Sequence, residues 1–370
     1  MTLKTLSSRP TRAIIDLSAC RHNLLQARQA APESKCIAII KANGYGHGIV
    51  NIAHALKEAD AFGVATVNEA VQLREAGISK PIVLLEGFSS EDELNLIRGY
   101  RLQVVIHDES QVKILESAKT SELEAWIKID TGMHRLGFEP QTLNGVVKRL
   151  LESNKIKQPL HLMTHLANAD DKHDETSLKQ IEQFYIAIES LAEYSIDAQH
   201  TSIANSAGIL GWPQSHAHWN RPGIMLYGVS PFINATAADH NLKPVMTLSS
   251  HIIAVKQLKK GDRVGYGGTF TCDKDMTIGV VAIGYGDGYP RHAKTGTPVL
   301  VNNKRTRLIG RVSMDMICVD LSDQDKAKVG DPVVLWGEGL PVEEIAECAE
   351  TIGYELLCGV TSRVEFVYLV

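Results

Sequence analysis

Between residue 11 and about residue 240, short apolar or β-branched runs alternate with stretches whose apolar residues recur at helical spacing. The runs are typical of buried strands, and they lie at 37–40, 62–66, 82–85, 102–106, 126–129, 160–164, 200–203 and 223–227. Helix signals stand between them, such as Ser90 and Glu93 at the spacing of a capping box. Eight strands in series predict parallel βα units and, most simply, an α/β fold with a closed (β/α)8 barrel of the TIM type. An open doubly wound sheet is the alternative, although no GxGxxG fingerprint supports it.

The pattern changes after about residue 243, where β-rich segments are joined by Gly, Asp and Asn turns. One helical stretch, from about residue 342 to 352, interrupts them. This pattern favours a separate, mostly antiparallel β domain. We therefore expect a barrel over residues 11–242 and a β domain over residues 243–370, which residues 1–10 could join.

Composition narrows the classes of function. Of 370 residues, 44% are hydrophobic and 22% are charged, and the net charge of −5 comes without a dense Lys/Arg block. Nucleic acid and anionic membranes are therefore not expected as main partners. The N-terminal stretch lacks the apolar core of a signal peptide and no later run is long enough to span a bilayer, so a cytoplasmic location is expected. Six cysteines without a CxxC pair predict reduced thiols, and no metal site is expected.

Polar residues follow the ends of the predicted strands, and Lys41 is the first of them. It stands between the apolar run 37–40 and the glycine-rich sequence ANGYGHG, where a partly desolvated amine would be a good nucleophile and base. The others are Thr66, Glu86, His107, Lys128, Asp130, His165, Asn205, Ser206 and Arg221. The C-terminal mouth of a barrel is where such folds place their chemistry, and ANSAG (204–208) and RPGIM (221–225) fall where a phosphate site is common.

With these residues in view, nearly the whole chain resembles the alanine racemases, pyridoxal-phosphate enzymes that combine a barrel with a β domain. The motifs that carry the resemblance occur in order across both predicted domains: IIKANGYGHG (39–48), KIDTGMHRLGF (128–138), THLANAD (164–170), ANSAG (204–208), RPGIMLYG (221–228), VGYGGTF (264–270), IGYGDGYPR (283–291) and GRVSMDM (310–316). Ser313 stands where some relatives have cysteine.

The resemblance implies a two-base racemisation that interconverts L- and D-alanine and supplies D-alanine for peptidoglycan. Lys41 would hold pyridoxal 5′-phosphate and act as a base at one face of the substrate, with Tyr266 as the opposite base. In this family that tyrosine enters from the second subunit of a head-to-tail homodimer. Arg221 would hydrogen-bond the pyridine nitrogen, and His165 would link Arg221 to Tyr266.

The resemblance also implies the remaining binding roles. The cofactor phosphate would be bound by Tyr45, Ser206, Tyr354 and the backbone amides of Gly223 and Ile224, with Asn205 beside them in the cofactor site. Arg135 and the Met314 amide of the second subunit would hold the substrate carboxylate. Tyr285 and Tyr354 would narrow the entrance. Lys128 is a position often carbamylated in this family, which would give it a negative charge that positions Arg135.

Other functions remain open at the level of sequence. Within the racemases, serine or a basic amino acid could be the substrate instead of alanine. Decarboxylases of basic amino acids share the architecture but place an acidic residue where this chain has Arg221. A single-barrel cofactor carrier would leave about 130 residues, including Tyr266, without a role. The pair of histidines in HLMTH lacks the glutamate of a zinc helix, so a satisfied core histidine is the better alternative for His165.

Overall fold

The computed structural model describes residues 9–119, 122–194, 196 and 200–370. These residues divide into two compact units. The barrel unit comprises Arg21–Leu226 and Ser230–Leu242, and the β unit comprises the described residues up to Cys20, Tyr227–Val229 and Lys243–Val370. Of residues 1–10, which we expect could join the β domain, residues 1–8 lie outside the described residues.

The barrel unit contains eight parallel strands that close on themselves, because the first strand pairs with the last. They are β2 (Lys35–Ile39), β3 (Ala61–Val64), β4 (Ile82–Leu84), β5 (Gln103–Ile106), β6 (Leu123–Lys128), β7 (Ile156–Met163), β8 (Thr201–Ser202) and β9 (Trp219–Asn220). Four of the five residues of β2 and all of β3 and β4 are buried, as expected for strands covered on both faces. The predicted (β/α)8 barrel is confirmed.

The helix α1 (Leu17–Ala30) precedes the barrel strands, and helices follow most of them. The segment α2 (Lys41–Tyr45) is a left-handed turn rather than a regular helix. The helices are α3 (Ile49–Ala55), α4 (Val67–Glu75), α5 (Glu91–Gly99), α6 (Glu109–Ser117), α7 (Leu143–Glu152), α8 (Thr176–Glu189) and α9 (Ser206–Gly211). Ser90 caps α5 through the Glu93 amide, as its position in the sequence predicts. Among the described residues, no helix is long and apolar enough to cross a membrane.

The eighth strand differs from the prediction. The sequence favours a strand at 223–227, whereas the barrel is closed by Trp219–Asn220 and Ile224–Tyr227 forms a 3-10 turn. Pro222 has no backbone N–H and restricts the residue before it, so the chain turns after Arg221. The apolar run is buried all the same, because burial does not require strand geometry.

The β unit is built around one eight-stranded sheet in the order β13-β16-β15-β14-β17-β10-β1-β18, in which β10 also pairs with β13. Its strands are β1 (Arg12–Asp16), β10 (Met246–Leu258), β13 (Met276–Val281), β14 (Pro298–Val301), β15 (Lys304–Ile309), β16 (Ile317–Asp320), β17 (Pro332–Trp336) and β18 (Glu365–Leu369). A small hairpin, β11 (Arg263–Val264) and β12 (Phe270–Thr271), and the helices α10 (Val342–Cys348) and α11 (Gly353–Cys358) complete it. The pairing is antiparallel except between β1 and β18.

The N-terminal strand corrects the expected boundary at residue 11. β1 pairs with β10 and β18, so residues 12–16 belong to the sheet of the β unit rather than to the barrel. A strand's own sequence does not specify which sheet it joins, because its alternating burial is the same in either. The N-terminal segment therefore contributes a strand to the sheet formed by the C-terminal part of the chain.

Candidate active site

Lys41 begins a left-handed turn directly after β2. Five consecutive residues have positive φ: Ala42 (51°), Asn43 (55°), Gly44 (62°), Tyr45 (49°) and Gly46 (81°). Left-handed geometry costs a residue other than glycine about 1–2 kcal/mol. Three such residues in series persist only where surrounding contacts hold them, and strain of this kind is concentrated at functional sites.

Side chains hold this turn at several points. The Ala42 N–H donates to Glu69 Oε1 at 2.7 Å, and the Ile49 N–H donates to Asn43 Oδ1 at 3.0 Å. Nδ1 of the buried His47 lies 3.1 Å and 2.8 Å from the carbonyl oxygens of Gly44 and Tyr45. Because both partners only accept, Nδ1 carries the proton. The contacts fix the backbone on both sides of Tyr45.

Four cationic side chains lie within electrostatic reach of one another at the C-terminal end of the barrel. Burial and then the charges of Arg221, Arg135 and Lys41 lower the pKa of Lys128 to about 8, against an opposing effect of Asp130. One nearby carboxylate does not balance this charge. The barrel mouth is therefore suited to anionic ligands.

Arg221 is buried and donates to acceptors on several strand ends. Its Nη2 donates to the carbonyl oxygens of Thr164 at 2.5 Å and Ile203 at 3.0 Å, and Nη1 donates to Ser202 Oγ. Burial lowers the pKa of Arg221 to about 10, which leaves it protonated at neutral pH. Arg221 is thus a fixed cation whose orientation the barrel determines.

The same guanidinium fixes the tautomer of His165. Nδ1 of His165 lies 3.2 Å from Arg221 Nη2, which can only donate. Burial and the charge of Arg221 lower the pKa of His165 well below its usual value, so the ring is neutral. Nδ1 is therefore the acceptor and Nε2 carries the proton, which leaves Nε2 able to donate.

The loop after β6 places Arg135. Asp130 accepts the N–H groups of Gly132, Met133 and His134, each at 3.0 Å. Phe138 closes the loop through two backbone hydrogen bonds, to Lys128 and from Asp130, both at 2.9 Å. Burial acts to raise the pKa of Asp130, but the backbone donors outweigh it and lower the pKa. The ionised carboxylate organises the turn that presents Arg135.

Ser206, Gly223 and Tyr45 meet between β2 and the loop after β9. Ser206 Oγ accepts the N–H groups of Gly223 at 2.9 Å and Met225 at 3.3 Å, which leaves its own hydrogen free to donate. A Cβ added at Gly223 would lie 2.9 Å from Tyr45 Oη. Asn205 caps α9 by accepting the Gly208 N–H at 2.9 Å. The hydroxyls form a small cradle that only glycine leaves open.

These residues fit pyridoxal 5′-phosphate. The cradle offers hydroxyl donors of the kind that phosphate accepts, and the four cations would offset its charge. Lys41 supplies an amine, and Arg221 supplies a donor at a fixed position. Within the described residues, no group of three His, Cys, Asp or Glu side chains is arranged to hold a metal ion.

In the β unit the predicted site residues lie at its surface. Tyr266 occupies a 3-10 turn between β11 and β12 and is 71% exposed, and Met314 is 51% exposed. Tyr285 and Tyr354, the latter on α11, are each more than a third exposed. Exposed large apolar side chains of this kind are candidates for an interaction surface.

Tyr285 and Met314 are positioned by one network of backbone bonds. The Tyr285 and Gly286 N–H groups donate to the carbonyl oxygens of Ser313 and Met314, at 3.0 Å and 2.9 Å. A Cβ at Gly284 would lie 2.2 Å from the Ser313 oxygen, so this approach requires glycine. The turn at residues 284–286 and the Met314 loop are therefore joined directly by backbone hydrogen bonds.

Comparison with known proteins identifies the family. The alanine racemase N-terminal domain family matches residues 15–231, and the alanine racemase C-terminal domain family matches residues 245–368. The chain belongs to the alanine racemase family.

Individual members of the alanine racemase family match over almost the full length. An alanine racemase of Coxiella burnetii is 52% identical over 361 residues, which cover 96% of this chain and 98% of that protein. A biosynthetic alanine racemase of Escherichia coli is 49% identical over 358 residues, with 96% and 98% covered. The crystal structure of the biosynthetic alanine racemase from Pseudomonas aeruginosa has a TM-score of 0.93 at 43% identity and covers 98% of this chain and 100% of that one. The family assignment made from the motifs is confirmed.

Sequence reasoning missed two residues that support the racemase motifs, Gln180 from outside them and Asp287 from within IGYGDGYPR. Gln180 on α8 is buried, accepts the Ala167 N–H at 2.8 Å and donates to the His165 carbonyl oxygen at 3.1 Å. Asp287 is fully buried and forms ion pairs with Arg9 at 2.8 Å and Arg363 at 3.3 Å. A polar residue on the apolar face of α8 is a visible signal for Gln180, but the sequence does not indicate what it contacts.

Proposed function

We propose that this protein interconverts L-alanine and D-alanine with pyridoxal 5′-phosphate as its cofactor. The names of the relatives, which are alanine racemases at about half identity over nearly the full chain, support the substrate. The buried Arg221, hydrogen-bonded to a neutral His165 beside Lys41 and Lys128, is the observation that carries the proposal. A decarboxylase of this architecture would have an acidic residue in place of Arg221.

Pyridoxal phosphate, when bound, supplies the electron sink that makes the Cα–H of an amino acid acidic enough for a side chain to remove. Lys41 would hold the cofactor and serve as the base at one face of Cα. Tyr266 of the partner subunit would serve at the other face. Two bases are needed because a single base would tend to return the proton to the face that it left.

The other predicted residues would bind and orient. Tyr45, Ser206, Tyr354 and the amides of Gly223 and Ile224 would bind the phosphate, with Asn205 supporting Ser206 through its cap on α9. The Ser206–Gly223 hydrogen bond supports Ser206 as a donor, because it leaves the serine hydrogen available, but it occupies the Gly223 N–H and so counts against that amide. Arg135 and the Met314 amide of the partner subunit would hold the substrate carboxylate.

We propose that Lys128 is carbamylated. Its pKa of about 8 leaves part of the amine unprotonated at neutral pH, as attack on carbon dioxide requires. The nitrogen would bond to the carbon of CO2 and release one proton, which places a negative charge among Lys41, Arg135 and Arg221. Carbon-13 NMR after exchange with labelled bicarbonate should give one carbamate signal that Lys128→Met abolishes, and its presence in that variant would contradict the assignment.

A homodimer in a bacterial cytoplasm completes the proposal. The exposure of Tyr266 and Met314 in the β unit supports their use by a second copy. D-alanine for peptidoglycan would be the product, in line with the biosynthetic designation of the Escherichia coli relative. Mixed dimers of Lys41→Ala and Tyr266→Phe chains should regain activity, because one of their two shared sites would be intact.

Chiral analysis tests the reaction directly. Single L-amino acids (alanine, serine, lysine and arginine) are incubated with the protein and pyridoxal phosphate in heavy water, with Lys41→Ala as the control. Alanine appearing as both enantiomers with deuterium at Cα is expected. Faster conversion of another amino acid would change the substrate. No conversion of any of them, while cofactor still binds through Lys41, would refute racemisation in favour of decarboxylation or cofactor storage.

A further inference from the structure

We infer that Glu69, which none of the racemase motifs includes, is a positioning residue for Lys41. Glu69 lies in the first turn of α4, at the end of the neighbouring strand β3. Its carboxylate accepts hydrogen bonds from the Ala42 N–H at 2.7 Å, the Ala65 N–H at 2.9 Å and the Thr66 N–H at 3.2 Å. The inference rests on the proposed function, since Lys41 is the residue that the reaction uses.

The two carboxylate oxygens have different tasks. Oε2 forms a capping box with Thr66, whose hydroxyl accepts the Glu69 N–H at 3.3 Å. A capping box needs only this oxygen. Oε1 instead reaches the loop that follows the neighbouring strand β2 and accepts the N–H of the peptide that joins Lys41 to Ala42. The contact of Oε1 does not stabilise the helix. It holds the peptide group directly after the Cα of Lys41, and thereby the position of the Lys41 side chain.

The position of that contact explains why it matters. Ala42 is the first of the five consecutive residues with positive φ, and its own φ of 51° is unfavourable for a residue with a side chain. An anchored N–H at the start of the turn holds Lys41 and, through the turn, Tyr45 of the phosphate cradle. Without this hydrogen bond the strained turn can relax to a backbone conformation of lower energy, and the Lys41 amine is no longer held in its orientation.

The substitution Glu69→Gln distinguishes the role of Oε1 from that of Oε2. Glu69→Gln retains one accepting oxygen, which the two N–H groups at the end of β3 will keep, and directs an NH2 group at the Ala42 N–H, where two donors face each other. Thr66→Ala has the opposite effect: it weakens the cap but leaves the contact with Ala42. Glu75→Gln, an exposed glutamate on the same helix, is the control for charge alone.

We expect Glu69→Gln to lower kcat for alanine racemisation about tenfold with little change in KM, because a misdirected base slows the chemical step more than binding. Amide hydrogen exchange of the holoenzyme should become faster in peptides covering residues 40–48. Thr66→Ala and Glu75→Gln should change neither. Adding Ala42→Gly to Glu69→Gln should restore part of kcat, because glycine adopts positive φ without strain.

The outcomes discriminate. If Glu69→Gln matches the wild type in both kcat and exchange, or if Thr66→Ala reproduces its effects, the positioning role is wrong. If Ala42→Gly does not restore activity, the loss has another cause and the role is likewise refuted. If the wild type racemises no amino acid but Glu69→Gln alone accelerates exchange at residues 40–48 and slows cofactor attachment to Lys41, the positioning role stands and the proposed function fails.

Discussion

Gly223→Ala is the substitution that tests the phosphate cradle most directly. Gly223 follows Arg221 and Pro222 after the last barrel strand, and its N–H is held by Ser206 Oγ at 2.9 Å. Its φ lies outside the left-handed range, so alanine is compatible with its backbone. The added methyl would lie 2.9 Å from Tyr45 Oη and 3.7 Å from the Cβ of Ile39. The tyrosine hydroxyl is therefore the only close obstacle among the described residues.

The size of the effect follows from that distance. A carbon needs about 3.5 Å from a neighbouring heavy atom, so the hydroxyl must move by roughly 0.5 Å or more. Tyr45 cannot follow with its backbone, because its φ of 49° is fixed by the turn. If the hydroxyl binds phosphate, its loss as a hydrogen-bond donor to a charged group costs about 1.5–3 kcal/mol. Cofactor affinity should fall about tenfold to a hundredfold.

Titration with pyridoxal 5′-phosphate, followed by absorbance, measures this change, and competition by inorganic phosphate reports on the cradle alone. Gly145→Ala is the matched control, since Gly145 lies in α7 with no atom within 4 Å of its added Cβ. It should leave affinity unchanged and stabilise the helix by about 0.5–1 kcal/mol. In a Tyr45→Phe background, Gly223→Ala should weaken binding further by less than about threefold. Unchanged affinity in Gly223→Ala alone would refute the cradle.

Two further predictions concern stability. Lys128→Met should stabilise the cofactor-free, CO2-depleted protein at pH 7. The pKa of Lys128 is about 8 in the folded protein and near 10.4 in the unfolded chain. The buried charge therefore lowers the free energy of unfolding fully below pH 8, and this effect disappears as the pH rises to about 10.5. Urea denaturation at pH 7 and 10.5 measures it, and an equal gain at both values would contradict this origin. Asp287→Asn should destabilise the protein by about 2 kcal/mol, less than a fully buried pair because Arg363 and Arg9 are partly exposed. The exposed Glu350→Gln should cost under about 0.5 kcal/mol in the same denaturation experiment, and equal losses would refute a special role for the buried carboxylate.

The barrel could be predicted because parallel strands buried on both faces are short apolar runs, which are visible without knowing their neighbours. Seven of the eight predicted runs overlap barrel strands in the structure. The eighth failed because an apolar run also fits a buried 3-10 turn, and the real strand, Trp219–Asn220, is too short to show a period. β1 was misplaced since pairing partners more than 200 residues away leave no local pattern.

The candidate site likewise contains residues that the sequence predicts and a residue that it does not. Residues at the ends of parallel strands converge whatever lies between them, so Lys41, Lys128, His165 and Arg221 could be grouped from strand order alone. Glu69 could not, because it acts through a backbone N–H of the neighbouring loop. Its sequence signal is an ordinary capping box, and the second contact depends on how two βα loops approach. A residue that positions another through such a backbone contact therefore leaves no signal of that role in the sequence.

The protonation state of Arg221 bears on the chemistry of the site as well as on binding. Arg221 stays protonated at neutral pH and only donates, while His165 stays neutral with its proton on Nε2. The pair therefore transmits orientation but no proton. A ring nitrogen beside such a donor would remain an acceptor, and the bound cofactor would be a weaker electron sink than one beside a carboxylate. A weaker electron sink would favour rapid return of the proton to Cα over competing reactions of the same substrate. That selectivity is what a racemase would need from a cofactor that other enzymes use for decarboxylation.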